Sequence, residues 1–399
     1  MAKGGTAISA LEGVKVLDLA SMMAGPYGAT LLGDMGAEVI KLEPPAGDET
    51  RRIGPRTGTD SGVFVGVNRN KRSIAVDLRT EDGQLVLDRL VRWADVVVDN
   101  LRPSAKLKLG LDYASLAARN PRIVSISVST YGSTGPYAGR PGIDPVAQAL
   151  SGFMNVTGSG DGGPLKAGPP VADAVCSVLA AFGAVAALYA RERTKQGQQV
   201  DVALIDGLVH IQAPYTGQFF LLGTQQPRTG NTIGWYAPYN TYRCADHRYV
   251  HLACYNDKFF RNLCRAMDRA DLIVDERFRA NEGRVANRDV LDELVGSFLA
   301  TLPRPEALDR LWAHDVIAGP VNDYAEVFAD PQVLHNQMVV DVQHHTGPLR
   351  VTGVPVHLSA TPGSVRRPPP ALGEHTAEVL RELGFDQELI DRVDEGRKQ

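Results

Sequence analysis

Asp173 heads a run with no charged side chain, Ala174 to Ala190, which ends on Arg191-Glu192-Arg193. A carboxylate at the start of a helix has two uses. It can cap the helix by accepting a backbone N–H. Held ionised by the positive end of the helix dipole and facing a glycine-rich loop, it can instead attack an activated acyl group. Position in the sequence does not separate the two. Upstream lies Gly158-Ser159-Gly160-Asp161-Gly162-Gly163, followed by Pro164 and then Pro169-Pro170. A dinucleotide fingerprint leaves a strand and opens a helix, and these prolines forbid that, so the run is a plain glycine-rich loop. Asn68-Arg69-Asn70-Lys71-Arg72 is a local basic cluster. It reads as a solvated turn or as a set of phosphate contacts. There is no Walker A sequence and no G-x-S-x-G elbow.

Metal chemistry finds little support. Cys176, Cys244, Cys254 and Cys264 form no C-x-x-C pair and are expected to be core thiols. His247 and His251 have helical metal-ligand spacing but lie in a turn-then-strand pattern. No metal is expected. With 42 basic against 46 acidic side chains in 399 residues, the net charge of −4 gives no field for nucleic acid. The apolar fraction of 44% excludes disorder. The uncharged run after Asp173 falls short of a bilayer span and is rich in Ala, Gly and Ser. It predicts a buried or subunit-interface helix rather than a membrane segment. No signal peptide is readable, and the chain is expected to be a cytoplasmic enzyme.

The elements that must position Asp173 alternate. Strand patterns at Val14–Leu19, Glu38–Leu42, Val96–Val98 and Ile123–Val128 are separated by helical stretches. One of these starts at Pro26, and another follows Thr80 as an N-cap and runs through Trp93. This predicts a doubly wound α/β domain. Beyond the linker-like stretch 225–230 the texture changes. Thr241–Cys244 and Tyr249–Leu252 flank a turn, and three helical patterns follow, near Phe259–Met267, Val290–Thr301 and Glu306–His314. They predict a smaller second domain. Val339–Leu358 is β-like, and Glu374–Leu383 is a terminal helix.

Read together, these segments resemble the class III CoA-transferases, the CaiB/BaiF family that includes formyl-CoA transferase and carnitine CoA-transferase. The resemblance starts at Leu11-Glu12-Gly13-Val14-Lys15-Val16-Leu17-Asp18 and Ala24-Gly25-Pro26. It continues through 36–43, 70–73, Gly197-Gln198-Gln199-Val200-Asp201, Asn287-Arg288, Gly319-Pro320-Val321-Asn322 and Leu372-Gly373-Glu374-His375-Thr376. It implies that Asp173, in Gly168-Pro169-Pro170-Val171-Ala172-Asp173, is the nucleophile in a transfer of CoA from an acyl-CoA to a carboxylic acid. Aspartyl anhydride and aspartyl-CoA thioester intermediates would carry the group, with no permanently bound cofactor. The implied CoA contacts are Met23, Ala24, Asn68, Arg69, Asn70, Lys71, Asn100, Leu101, Arg102, Lys108, Pro141, Gly142, Ile143 and Asp144.

The resemblance also implies a homodimer of interlocked ring-like subunits. A large Rossmann-like CoA-binding domain would be built from 1–212 and 336–399, with a small α+β domain at 226–330. Three departures stand out. Met23 replaces a glutamine, and the four-glycine lid is replaced by Thr229–Trp235. Pro44 replaces an arginine, which leaves Arg51 or Arg52 for that phosphate contact. Met22, Met23, Trp235, Tyr236 and Tyr239 are candidates for an acyl pocket. Two rival readings are an α-methylacyl-CoA racemase and a non-catalytic CoA-binding protein. The racemase needs a proton-transferring histidine where this chain has Ile143.

Overall fold

The computed structural model describes residues 8–58 and 60–398. Its centre is a six-stranded sheet: β1 (Lys15–Asp18), β2 (Glu38–Glu43), β3 (Lys71–Ala75), β4 (Val96–Asp99), β5 (Val124–Ser129) and β6 (Gln198–Ala203). The strand order is β3-β2-β1-β4-β5-β6, and every pairing is parallel. Parallel sheets are covered on both faces, so their strands read as unbroken apolar runs. Val96-Val97-Val98 obeys this. Val96 and Val98 enter the core beneath α1 (Ala24–Asp34) and α5 (Val171–Thr194), whereas Val97 enters the core on the opposite face.

That opposite core contains α2 (Glu81–Trp93), α11 (Thr376–Glu382) and α12 (Gln387–Lys398), so the C-terminal segment completes the N-terminal sheet. Thr80 does cap α2, its hydroxyl accepting the Gly83 N–H. α1 and α5 meet through small residues, Ala29 and Ala180 among them, as the composition of α5 predicts. Gly25 in α1 admits no side chain, because a Cβ there would stand 2.4 Å from the Cβ of Ala20.

The chain divides into two compact units, and it crosses between them more than once. The larger holds the chain up to Phe153, Lys166–Gly223 and the chain from Pro331 on; the smaller holds Met154–Leu165 and Thr224–Asp330. The glycine-rich run 158–163 therefore belongs to the small unit. Within that unit β7 (Tyr239–Arg243) and β8 (Tyr249–Ala253) form the expected antiparallel hairpin, joined by β9 (Ala318–Pro320). They pack on α8 (Asp257–Ala266), α9 (Arg288–Leu299) and α10 (Arg304–Ala313). The large unit also carries an antiparallel hairpin, β10 (Val339–His344) and β11 (Gly347–Thr352).

All four cysteines are buried free thiols. Among the described residues one helix, α5, is long and apolar enough to cross a membrane. One of its faces lies in the core, while Val178, Phe182, Val185 and Tyr189 form an exposed stripe on the other.

Candidate active site

In an open parallel sheet, ligands bind beyond the carboxyl ends of the strands where the strand order reverses. Here the reversal lies between β1 and β4. A cavity of about 680 Å³ occupies that place. Met22, Met23 and Ala24 reach it from the turn after β1, and Asn100, Leu101 and Arg102 from the turn after β4. Ser129 to Ser133 follow β5, and Pro141 to Asp144 lead into α4 (Asp144–Leu150). Asp173, in the first turn of α5, completes the wall.

Asp173 does not cap its helix. It is the third helical residue, the N-cap position belongs to Pro170, and no side chain of the helix itself serves as a cap. The cap comes from another element. Oδ2 of the buried Asp144 accepts the N–H groups of Ala172 (2.7 Å) and Asp173 (3.2 Å), and its Oδ1 accepts from Nε2 of Gln148 at 2.5 Å. The Gln148 side-chain oxygen in turn accepts the Ala167 N–H at 2.9 Å, holding the segment that leads into α5.

The Asp173 carboxylate accepts no hydrogen bond from any described residue. Burial, and then the negative charge of Asp144, push its pKa up from 3.8 to about 6. The helix dipole does not hold it in the ordinary carboxylate range; desolvation and the neighbouring carboxylate outweigh it. Above pH 6 the group is an anion without hydrogen-bonded neighbours, more basic than an ordinary aspartate and therefore a better nucleophile.

The turn after β1 is held open toward the cavity. Met22 adopts a left-handed φ of 68°, and the Asn100 side chain bonds Ser21 twice, accepting its N–H at 3.0 Å and donating to its carbonyl at 2.7 Å. Asn100 thus borders the cavity with its amide already committed; its part is to position Met22 and Met23. Gly142 lies against Thr130, where a Cβ would approach the threonine side chain to 2.5 Å.

Of the implied CoA contacts, Met23, Ala24, Asn100, Leu101, Arg102, Pro141, Gly142, Ile143 and Asp144 all line the cavity. The others do not. Lys108 is exposed outside it, on α3 (Pro103–Leu109). Two residues along a helix is about 200°, so α3 turns Lys106 inward instead. The Lys106 ammonium pairs with Asp99 at 2.9 Å and donates to Ser127 Oγ at 3.0 Å. This lysine was missed in the sequence, where either residue was equally basic.

Asn68, Arg69, Asn70 and Lys71 also stand outside the cavity, buried at the start of β3. Arg69 makes a two-pronged pair with Asp34 (2.6 and 3.1 Å). Asn70 donates to the same carboxylate and borders a separate cavity of about 240 Å³. Lys71 binds Asp18, the Pro26 carbonyl and the Asn68 side-chain oxygen, all within 2.8 Å. The basic cluster is therefore neither a solvated turn nor a free anion site, because its charges are spent inside the protein. Arg51 is likewise committed to Glu43 and Asp60.

A structural arginine and a ligand-binding one fail differently. Arg69→Met would leave Asp34 buried without its counter-charge, a loss of about 3 kcal/mol or more. Denaturant melts should register that loss, and the folded fraction should keep the parent KM for acyl-CoA.

Trp235, Tyr236 and Tyr239 belong to the small unit, and only Met22 and Met23 of the acyl-pocket candidates line this cavity.

Fold and cavity define an α/β protein with a ligand cleft at the reversal point of a parallel sheet, and a perturbed carboxylate in its wall. Residues 11–376 match the family described as CoA-transferase family III. The chain belongs to that family and is a class III CoA-transferase. It is similar to succinate–glutarate CoA-transferase of Agrobacterium fabrum, 38% identical over 96% of this chain and 97% of that protein. It is also similar to succinyl-CoA:glutarate CoA-transferase of Homo sapiens, 36% identical over 97% of this chain and 89% of that protein. Among solved structures it resembles a CAIB/BAIF family protein from Brucella suis, with a TM-score of 0.88 and 38% identity, covering 94% of this chain and 100% of that one.

Proposed function

We propose that Asp173 is the nucleophile of this transferase and carries the acyl group and then CoA in turn. The observation that carries the reading is an aspartate whose carboxylate has a raised pKa and accepts no hydrogen bond from any described residue, in the wall of a cavity large enough for the reactive end of an acyl-CoA. Its carboxylate attacks the thioester carbonyl, forming a mixed anhydride and expelling CoA thiolate. The thiolate attacks the aspartyl carbonyl, giving an aspartyl-CoA thioester and releasing the first acid as carboxylate. An acceptor carboxylate attacks this thioester, forming a second anhydride and freeing the thiolate. Attack of the thiolate on the acceptor's acyl carbon yields the new acyl-CoA and restores Asp173. A serine ester is too low in energy to re-form a thioester readily, whereas each of these intermediates keeps the thioester's energy.

The first turn of α1 has no side-chain cap, and Ala24 at its start lines the cavity, which makes this helix N-terminus a favourable seat for a phosphate of CoA. Arg102 and Arg140 also line the cavity and join no ion pair among the described residues, so they remain for phosphate or for a second carboxylate. With relatives named for succinate and glutarate, we favour short dicarboxylic acids as donor and acceptor. The sheet, with the reversal between β1 and β4, is in our reading a Rossmann-like CoA-binding domain. The test is an acceptor panel with succinyl-CoA as donor. Glutarate should give glutaryl-CoA at a rate well above the release of free CoA. Hydrolysis without transfer to any acid would refute the reading.

We further propose that a second copy covers the exposed apolar surface of α5 and of α7 (Ala213–Leu222). Phe182 is 71% exposed, and Phe220 and Leu221 are each 82% exposed. Apolar surface of this kind marks an interface. Light scattering should give twice the 43.0 kDa of one chain; the mass of a single chain at micromolar concentration would contradict it.

A further inference from the structure

We propose that Asp60, His344 and His345 form a site for one divalent transition-metal ion of the zinc class. Asp60 lies on the two-residue strand Asp60–Ser61, His344 ends β10, and His345 opens the turn to β11. All three belong to the large unit, and none lines the cavity that holds Asp173.

The geometry is that of a coordination sphere. One ligand atom from each residue lies within 4.8 Å of the other two. Oδ2 of Asp60 is 3.0 Å from Nε2 of His345 and 3.6 Å from Nε2 of His344. Bonds of about 2.0–2.1 Å to a tetrahedral centre place neighbouring ligands about 3.3 Å apart, and the two separations bracket that value.

Two of these atoms are otherwise unexplained. Asp60 Oδ2 and His344 Nε2 are both buried, and neither has a hydrogen-bond partner among the described residues. The side chains are 3% and 1% exposed, and orphaned polar atoms at that depth are rare. A simple ion pair between Asp60 and His345 would leave His344 Nε2 an orphan, whereas a metal ion satisfies all three.

The surroundings orient the ligands. Asp60 Oδ1 is occupied by Nη1 of Arg51 at 2.5 Å, which fixes the carboxylate and turns Oδ2 toward the imidazoles. The Arg51 charge is itself met by Glu43, through two bonds of 2.8 Å. His344 Nδ1 accepts the Thr346 backbone N–H at 3.3 Å and lies 2.7 Å from the Thr346 hydroxyl. Ligation by Nε2 would place the imidazole proton on Nδ1, which would then donate to the Thr346 hydroxyl across the 2.7 Å contact. His345 is partly exposed, so an ion can enter on its side and a water can take the fourth position. The ion would pin the β10–β11 hairpin to the segment that carries Arg51 and Asp60. Its role is structural.

The experiment uses the full chain, stripped with chelator and titrated with zinc chloride, followed by metal analysis after gel filtration. Cobalt(II) in place of zinc provides a spectroscopic readout. The expected result is close to one zinc per chain and the visible absorption of four-coordinate cobalt. His345→Ala, at a partly exposed turn position that should not disturb folding, is expected to weaken zinc binding by about 100-fold or more. His247→Ala, an exposed histidine in the small unit, should leave binding unchanged. Asp60→Asn is a second probe, expected to fold and to lose zinc. Fewer than about one zinc per ten chains, or equal uptake by a folded His345→Ala protein, would overturn the proposal.

Discussion

Asp173→Asn is expected to lower CoA transfer by on the order of 10⁴-fold or more, and to make the protein more stable at neutral pH. The rate should fall because every step of the proposed cycle forms or breaks a bond to this carboxylate, and an amide oxygen is a far weaker nucleophile. The gain in stability comes from the same raised pKa. Well below pH 3.8 the carboxyl is protonated in the folded and the unfolded chain alike, so it contributes no pH-dependent difference. As pH rises through about 6 the unfolded chain has already ionised, and the folded one ionises against burial and Asp144.

Each unit of displacement is about 1.4 kcal/mol, so a gain of about 1–2 kcal/mol is expected at pH 7.5 after allowance for solvent at the cavity mouth. The difference between parent and variant should shrink as pH falls below 6 and vanish only below about pH 3. In the parent enzyme, kcat/KM for acyl-CoA should fall tenfold per pH unit below about 6. Chemical melts across pH and initial rates with a competent donor would read both effects. A variant with parental activity, or with lower stability at pH 7.5, would contradict this account of Asp173.

Asp144→Ala is expected to unfold the site rather than simply weaken CoA binding. The carboxylate takes two N–H groups at the head of α5 and the Gln148 amide, and all three would lose their partner away from water. A loss of about 2–4 kcal/mol follows from a buried cap of this kind. Activity should fall more than ligand binding does, because the backbone of Asp173 itself hangs from Asp144. The variant Asp144→Asn separates the two roles. An asparagine oxygen can still cap α5, but the charge that raises the Asp173 pKa is gone. The acid limb of the rate profile should then move below pH 6 in a protein that melts close to the parent. If both variants keep the parental melting curve and pH profile, Asp144 has neither role.

Locally encoded elements were legible in the sequence. Thr80 capping α2, Val96–Val98 as a strand buried on both faces, and the hairpin around Asp246-His247 each follow from turn chemistry or periodicity within about ten residues. Asp173 at a helix start was equally plain, and its family context favoured the nucleophile over the cap. What the sequence could not convey were pairings over distance. Arg69 and Lys71 look like a solvent-facing cluster because their partners, Asp34 and Asp18, are distant in the chain. With the charges neutralised, Lys71–Ala75 becomes the buried edge strand β3, which a basic sequence does not advertise.

The same limit hid the true cap of α5, since Asp144 precedes that helix by a loop and a short helix. Lys106 was passed over for Lys108 because helical phase, not residue type, decides which lysine faces inward. The division of the large unit between N- and C-terminal segments was implied by the family resemblance. The transfer of Met154–Leu165 to the small unit was not, for a glycine-rich loop has no periodicity to assign it.

The central claim is a covalent bond to Asp173, and mass spectrometry tests it most directly. Enzyme incubated with succinyl-CoA and no acceptor is quenched with hydroxylamine, digested, and searched for the peptide spanning Asp173. That one side chain should be converted to its hydroxamate, dependent on acyl-CoA and absent from Asp173→Asn. An unmodified Asp173 under conditions where transfer is brisk, or the label on another residue, would contradict it.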